Sequence, residues 1–443
     1  MTVDEWVVAP GFERVAEAFR SWAPAYGRGG GAYCAYLDGR PVVDVWQGSA
    51  QPRQPWERDT LGVLMSLSKG LAGVCVQHLV DRGRLDLEQP VSTYWPEFAQ
   101  AGKEKALVRH VMEHTVGLVG PDGLAAIARP DGSGWGERER IVDLIAASPT
   151  DWEPGSKLAY HALTYGWIIG EVVRRVSGLT VGEYFAEHLA GPLGIDAFIG
   201  TPADQVHRVA RTYDGDRESL PRPLRKTLEK ALAAAKDPAS VTGRAMLLLE
   251  GDTVFEHLED VFSDPDFLQL EVVSGNGTAT ARGVARLFAM QAGGGELDGV
   301  RVLSREIVED WSRPILSEPD YVMADIELGQ RFTKRLAKIT RTKGFLGNSS
   351  MPGMGPRFGP NPDAFGAEGL GGQHGWCDVR SGIAVGYVRS QHAYVDGVQS
   401  DLDRLLYRCA LDAGHDVHVP AGRSATDRVL GRYTRRLALR AGS

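Results

Sequence analysis

A serine and a lysine three residues apart, Ser66 and Lys69, stand in the run Leu64-Met65-Ser66-Leu67-Ser68-Lys69-Gly70. On a helix that spacing puts both side chains on one face, within reach of each other. A serine hydroxyl becomes a useful nucleophile only when a base takes its proton. A lysine can serve if burial or nearby charge lowers its pKa from the usual value of about 10.4. A serine at the start of a helix also has free backbone N–H groups and the positive dipole end beside it, which favour a developing oxyanion. The same spacing describes a helix-capping serine next to a solvated lysine, so the assignment depends on the rest of the chain. The other common way to activate serine uses histidine and an acid, usually with Gly-x-Ser-x-Gly. That pattern is absent from this sequence.

The elements that must hold such a pair can be read from the pattern of apolar residues. Pro10 to about Ala25 has helical spacing, with Phe12, Val15, Ala16, Phe19 and Trp22 on one stripe. Ala32 to Leu37 and Val42 to Trp46 are β-rich, and Asp38-Gly39 between them signals a hairpin. Leu61 to Met65 is a short strand-like run leading into a helix that begins at Ser66 and continues through Leu71 to Val80. From about Val91 to Phe262 the pattern is mainly helical, with candidates at Leu107 to His114, Arg138 to Ala147 and Tyr165 to Val176. Leu220 to Ala234 reads as an exposed helix or a cover over the cleft, and Ala281 to Gln291 as an amphipathic helix. Leu370 to Asp378 and Ile383 to Arg389 read as antiparallel strands joined at Arg380-Ser381-Gly382, and Leu402 to Ala413 as a closing helix. The Arg-rich tail from Gly422 reads as a solvated segment. No internal repeat is visible.

Strands at both ends with helices between them predict one sheet built from the two termini. The expected division is an α/β sheet domain from residues 1–90 and 266–443, and a mainly helical domain from 91–265, with a cleft between them.

Composition narrows the function. The chain has 443 residues, 43% hydrophobic and 24% charged, with a formal net charge of -8. That acidic balance, without basic clusters interleaved with aromatics, argues against nucleic acid as a partner. No apolar stretch reaches the length of a membrane span, and Met1 to Trp6 has no secretion-signal pattern, so a cytoplasmic protein is expected. Cys34, Cys75, Cys377 and Cys409 are widely spaced and read as reduced, mostly buried thiols. No H-E-x-x-H pair marks a metal hydrolase, and neither metal nor organic cofactor is expected.

Ser66-Leu67-Ser68-Lys69 resembles the Ser-x-x-Lys box of serine β-lactamases and penicillin-binding proteins. Further stretches follow in that family's order. They are His114-Thr115-Val116-Gly117-Leu118, Glu153-Pro154-Gly155 with Tyr160-His161-Ala162, Tyr165-Gly166-Trp167-Ile168-Ile169-Gly170, and Gly277-Thr278-Ala279. Phe365-Gly366-Ala367-Glu368-Gly369-Leu370-Gly371-Gly372 resembles the Lys-Thr-Gly box and its strand. The chain is most similar to the class C-like branch that contains the family VIII carboxylesterases, over roughly residues 10 to 412. The fold so implied is α+β: an antiparallel sheet flanked by helices, with a large mainly helical insertion.

The resemblance assigns Ser66 as the acylated nucleophile, Lys69 as its base or proton shuttle, and Tyr160 as sharing that task. The backbone N–H groups of Ser66 and Leu370 would form the oxyanion hole. His161, Ala162, Glu368, Gly369 and His374 are candidate substrate contacts. Ala162 stands where the family often has Asn or Ser, and Ala367 where the third box has Lys or His. That cation helps to bind the carboxylate of β-lactams and peptide C-termini. Its absence directs the expectation to an ester, thioester or amide without a carboxylate beside the reacting carbonyl, unless His374 supplies the donor. The activity implied is a carboxylesterase acting on small molecules through an acyl-serine. Alternatives are an acyltransferase or peptide-cyclising thioesterase, a weak β-lactamase or peptidase, and a silent family member that only binds a ligand.

Overall fold

The computed structural model describes residues 6–22, 27–216, 222–237, 240–322, 338–351, 355–393 and 398–417. The chain opens with a short strand, β1 (Val7–Val8), and helix α1 (Glu13–Ser21), which buries Val15, Ala16 and Phe19. Strands β2 (Gly30–Leu37) and β3 (Arg40–Gln51) then form the hairpin. Asp38 and Gly39 both lie in the left-handed region, at φ 49° and 74°. That is the backbone a tight two-residue hairpin turn requires, and it is why Asp-Gly is favoured there.

Helix α2 (Ser68–Asp81) follows a 3₁₀ turn at Met65–Leu67, so Ser66 sits in that turn, just ahead of the α-helix. Every residue from Ser68 to Leu79 is buried, as expected of a helix that is apolar all round. Up to residue 265 the chain is mainly helical and includes Arg138–Ala147, α3 (Thr164–Ser177) and Arg222–Ala235. Helix α4 (Ala281–Ala292) leads back to the sheet. The sheet is completed by β4 (Leu316–Pro319), β5 (Lys338–Arg341), β6 (Leu346–Gly347), β7 (Phe365–Glu368), β8 (His374–Asp378) and β9 (Ile383–Arg389). Helix α5 (Val398–Asp412) closes the described structure. The tail from Gly422 lies outside the described residues.

The strand order is β1-β3-β2-β9-β8-β7-β6-β5-β4, with Gln54–Pro55 pairing onto β3, and every ladder is antiparallel. This is the α+β architecture expected, a helix-flanked antiparallel sheet with a helical insertion. One face packs on α1 and α5 through Phe12, Phe19, Tyr33, Trp376, Leu402 and Leu406. The other packs on α2 and α4 through Leu71, Val74, Leu287, Phe288, Phe365 and Cys377. Helix α4 comes so close to β9 that a Cβ on Gly386 would lie 2.3 Å from the Ala281 carbonyl oxygen.

Two expectations need correction. The strand read as Leu370 to Asp378 begins at His374, because residues 369–373 turn: the Gly369 N–H donates to the Gln373 carbonyl at 2.7 Å. Strands β4, β5 and β6 were not expected and extend the sheet past β7. All four cysteines are unpaired and buried. Among the described residues, no helix is long and apolar enough to cross a membrane.

Candidate active site

Gly62–Val63, Thr278–Ala279 and Ala197–Phe198 form a small antiparallel sheet that anchors the chain entering α2. The Leu64 N–H donates to the Gly277 carbonyl at 2.8 Å. Met65 then takes φ 49°, a conformation unfavourable for a non-glycine residue and kept only where the surroundings impose it. Ser68 provides part of that restraint. Its Oγ donates to the Met65 carbonyl at 2.6 Å and accepts the Gly277 N–H at 3.0 Å. The turn so fixed holds Ser66 above the first residues of α2.

Lys69 is 6% exposed. Its Nζ donates to Ser66 Oγ at 3.2 Å and to the Ser274 carbonyl at 2.8 Å. Burial pushes its pKa below the usual lysine value, Tyr160 opposes the shift, and Arg341 adds to it. The Tyr160 ring centroid is 5.0 Å from Nζ, and the Tyr160 N–H donates to Asp320 Oδ1 at 3.1 Å. Two separate segments thus bring a hydroxyl, an amine and a phenol ring together. Residues 12–407 match the Beta-lactamase family.

The chain belongs to the Beta-lactamase family.

Within it, the chain is 34% identical over 388 residues to Esterase/beta-lactamase LipL of Mycobacterium tuberculosis, covering 86% of this chain and 82% of the relative. The fold is similar to the crystal structure of a family VIII carboxylesterase, with TM-score 0.74 and 29% identity, over 91% of this chain and 98% of the other. A penicillin-binding protein homolog from Caulobacter crescentus gives TM-score 0.74 and 28% identity over the same shares.

In this Beta-lactamase family member, the stretch 365–372 lies against the turn that carries Ser66. Gly369 is so close that a Cβ there would sit 2.2 Å from the Leu64 carbonyl oxygen. Leu370 follows, 40% exposed, and its N–H has no acceptor among the described residues. Ala367 faces α2, where a Cβ on Gly70 would meet its own at 2.8 Å. Glu368 is ion-paired with Arg357.

The other candidate contacts fall elsewhere. His161 is 1% exposed, with both ring nitrogens engaged: Nδ1 with the Ala159 carbonyl at 2.6 Å, Nε2 with the Leu118 N–H at 2.9 Å. Burial holds its pKa down at about 4. It braces the loop that carries Tyr160, and Ala162 beside it is buried as well. His374 is fully buried on the α5 side of the sheet, 5.3 Å from the Tyr387 ring and 4.0 Å from Asp403. It is not placed to replace the third-box cation.

Four residues around the site had no role assigned from sequence. Ser274 supplies the second acceptor for Lys69, while its own Oγ accepts the Gly166 N–H at 2.8 Å. Asp320 positions Tyr160. His114, at φ 62°, stacks on Tyr165 with centroids 5.0 Å apart and lies 4.9 Å from the Tyr160 ring. Its Nδ1 accepts the His161 N–H, and burial keeps its pKa well below the usual histidine value. Arg341 on β5 places its guanidinium carbon 5.7 Å from the Tyr160 centroid. Only His114 carried a signal, by falling in a motif-like stretch. Among the described residues, no group of three or more His, Cys, Asp or Glu side chains gathers to hold a metal ion.

Proposed function

We propose that this protein is a serine hydrolase of the family VIII carboxylesterase type, in the class C-like branch, cleaving small-molecule esters through an acyl-Ser66 intermediate. The observation that carries the reading is the Lys69 amine, buried 3.2 Å from Ser66 Oγ and 5.0 Å from the Tyr160 ring. A buried amine gives up its proton more readily than a solvated one, so it can act as the base.

Ser66 Oγ attacks the ester carbonyl carbon while its proton passes to Lys69 and Tyr160. The oxyanion takes hydrogen bonds from the N–H groups of Ser66 and Leu370. The bond to the alcohol oxygen then breaks as that oxygen receives the proton from the same pair. Water adds to the acyl-serine, returns a proton to the pair, and frees the acid with Ser66 restored.

A serine-reactive phosphonate tests this directly. The wild type is expected to be labelled once, on Ser66, and Ser66→Ala to be unlabelled while still folded by circular dichroism. Undiminished labelling of the variant overturns the reading.

A further inference from the structure

A cavity of about 460 Å³ opens at the end of α2 opposite Lys69. His78 lines it, and at the helical rise it stands about 14 Å along the axis from Lys69. Three elements build the wall. The end of α2 and the turn behind it give His78, Arg82 and Arg84. The helical turn Ala186–Ala190 gives His188, and the hairpin of Glu296–Leu297 with Val300–Arg301 gives Arg301. The two histidine rings stack with centroids 5.6 Å apart, and His78 Nδ1 lies 2.6 Å from the Tyr184 hydroxyl. Tyr184, Val300 and Val302 supply apolar surface.

The lining sets three arginines against one carboxylate, Glu187, whose side chain is 64% exposed. Two of the arginines have carboxylates outside the lining: Arg82 reaches Asp81 at 3.4 Å, and Arg301 reaches Glu296 at 2.6 Å. Asp81 is also held by Ser304, whose N–H and hydroxyl donate to it at 2.9 and 2.5 Å. Arg84 donates to the Val176 carbonyl at 2.6 Å and has no carboxylate partner among the described residues. A helix C-terminus ordinarily repels an anion. Here the last carbonyls are taken up, because the N–H groups of Arg82, Gly83 and Arg84 donate to those of His78, Val80 and Leu79. The side-chain charges leave a positive potential at His78. Burial and then Arg82, which outweighs the opposing Asp81, hold its pKa down to about 4.

Three guanidinium groups beside an imidazole offer more donors than the two oxygens of a carboxylate can accept. A phosphate group presents three acceptor oxygens and up to two charges. The volume falls in the range of small-molecule pockets, which leaves room for an organic group against the apolar wall. We propose that this cavity is a binding site for a small phosphate monoester carrying an apolar or aromatic group, separate from the Ser66 site. It goes beyond the hydrolase reading and does not depend on it.

The test is calorimetry of the full chain with phenyl phosphate as the probe. Phenyl phosphate is expected to bind about tenfold or more tighter than benzoate, which keeps the ring and replaces the phosphate by a carboxylate. Arg84→Gln should weaken phenyl phosphate about ten- to a hundredfold, the worth of a charge-assisted hydrogen-bonded pair, with the melting temperature unchanged. Ser66→Ala should bind it as the wild type does, and the KM for an activated ester should not change in its presence. No binding to the folded wild type, or an affinity that Arg84→Gln leaves intact, overturns the site. Equal affinity for benzoate overturns the choice of phosphate. Retention on phosphatidic acid vesicles without binding of phenyl phosphate overturns the choice of a small free ligand. Loss of binding in Ser66→Ala, or competition with the ester, would put the phosphate at Ser66 and overturn the proposal as well.

Discussion

Asp378 and Lys69 are both buried charged side chains, on opposite faces of the sheet, and their surroundings differ in kind. Asp378 on β8 accepts four hydrogen bonds: from Tyr407 Oη at 2.7 Å, Asn361 Nδ2 at 3.0 Å, and the N–H groups of Arg380 and Ser381 at 3.0 and 3.2 Å. It ties α5 and the turn after β8 to the sheet. Lys69 has two acceptors, the Ser66 hydroxyl and the Ser274 carbonyl, and Arg341 nearby has a buried Nε with no hydrogen-bond partner among the described residues. Fully satisfied buried polar groups stabilise and specify a fold, whereas partly satisfied ones cost stability and persist where function needs them. The far face therefore holds fully satisfied structural polarity, and the face that carries Ser66 and Lys69 holds polarity left partly satisfied.

The largest effect expected to test this contrast is at Lys69. Lys69→Met should lower kcat/KM for an activated ester by about 10²–10⁴-fold, the usual contribution of a positioned base. Its unfolding free energy should stay the same or rise, since a buried amine is replaced by an apolar chain of similar shape. In the wild type, activity should fall as pH drops through the depressed Lys69 pKa, because only the neutral amine accepts the Ser66 proton. A Lys69→Met protein that loses several kcal/mol in urea would place Lys69 among the structural groups instead.

Asp378→Ala should do the reverse. Four donors lose their acceptor, and the expected loss is about 3–5 kcal/mol in denaturant unfolding. Under conditions where the variant remains folded, phosphonate labelling of Ser66 should proceed at the wild-type rate. Slowed labelling in the folded variant would mean that the two faces are coupled through β7 and β8.

His161 gives a third, smaller effect, readable through pH. Burial pushes its pKa down to about 4, and protonating Nε2 would set two N–H groups against each other at Leu118. In the unfolded chain the ring takes its proton near pH 6.5. The folded pKa is the lower of the two, so this contribution is fully present above about pH 6.5 and is lost as pH falls toward 4. It amounts to roughly 3 kcal/mol. His161→Gln keeps an acceptor for Leu118 and should flatten the stability profile over that window by about one proton's worth of linkage. An unchanged slope would assign the acid sensitivity to other buried histidines such as His114.

These contrasts also explain what was readable in advance. Ser66 and Lys69 were legible because they lie within one helical turn, where spacing and geometry are the same statement. The β2–β3 hairpin was legible because Asp-Gly fits its backbone. The sequence left His374 open, as a donor or an ordinary strand histidine, because proximity to Leu370 says nothing of strand parity. His374 and Trp376 face α5, while Gly375 and Cys377 between and beyond them face α4. Arg341, Asp320 and Ser274 lie more than 200 residues from Lys69 and meet it only through tertiary packing. The strands nearest Arg341 are also weak as patterns. Leu316–Pro319 is half-exposed to exposed and ends in proline, and Lys338–Arg341 has no apolar alternation.

Glu171 on α3 offers the smallest and most discriminating effect. It is 1% exposed, yet three arginines share it: Arg138, Arg174 at 2.7 Å and Arg175 at 2.6 Å. Its buried charge has more partners than it needs. Removing one of them should matter little, because the Arg174 side chain is 39% exposed and the other two still neutralise the carboxylate. Arg174→Ala is expected to cost less than about 1 kcal/mol in denaturant unfolding and to leave ester selectivity unchanged. A loss near that predicted for Asp378→Ala would mean that redundancy does not protect a buried charge in this fold.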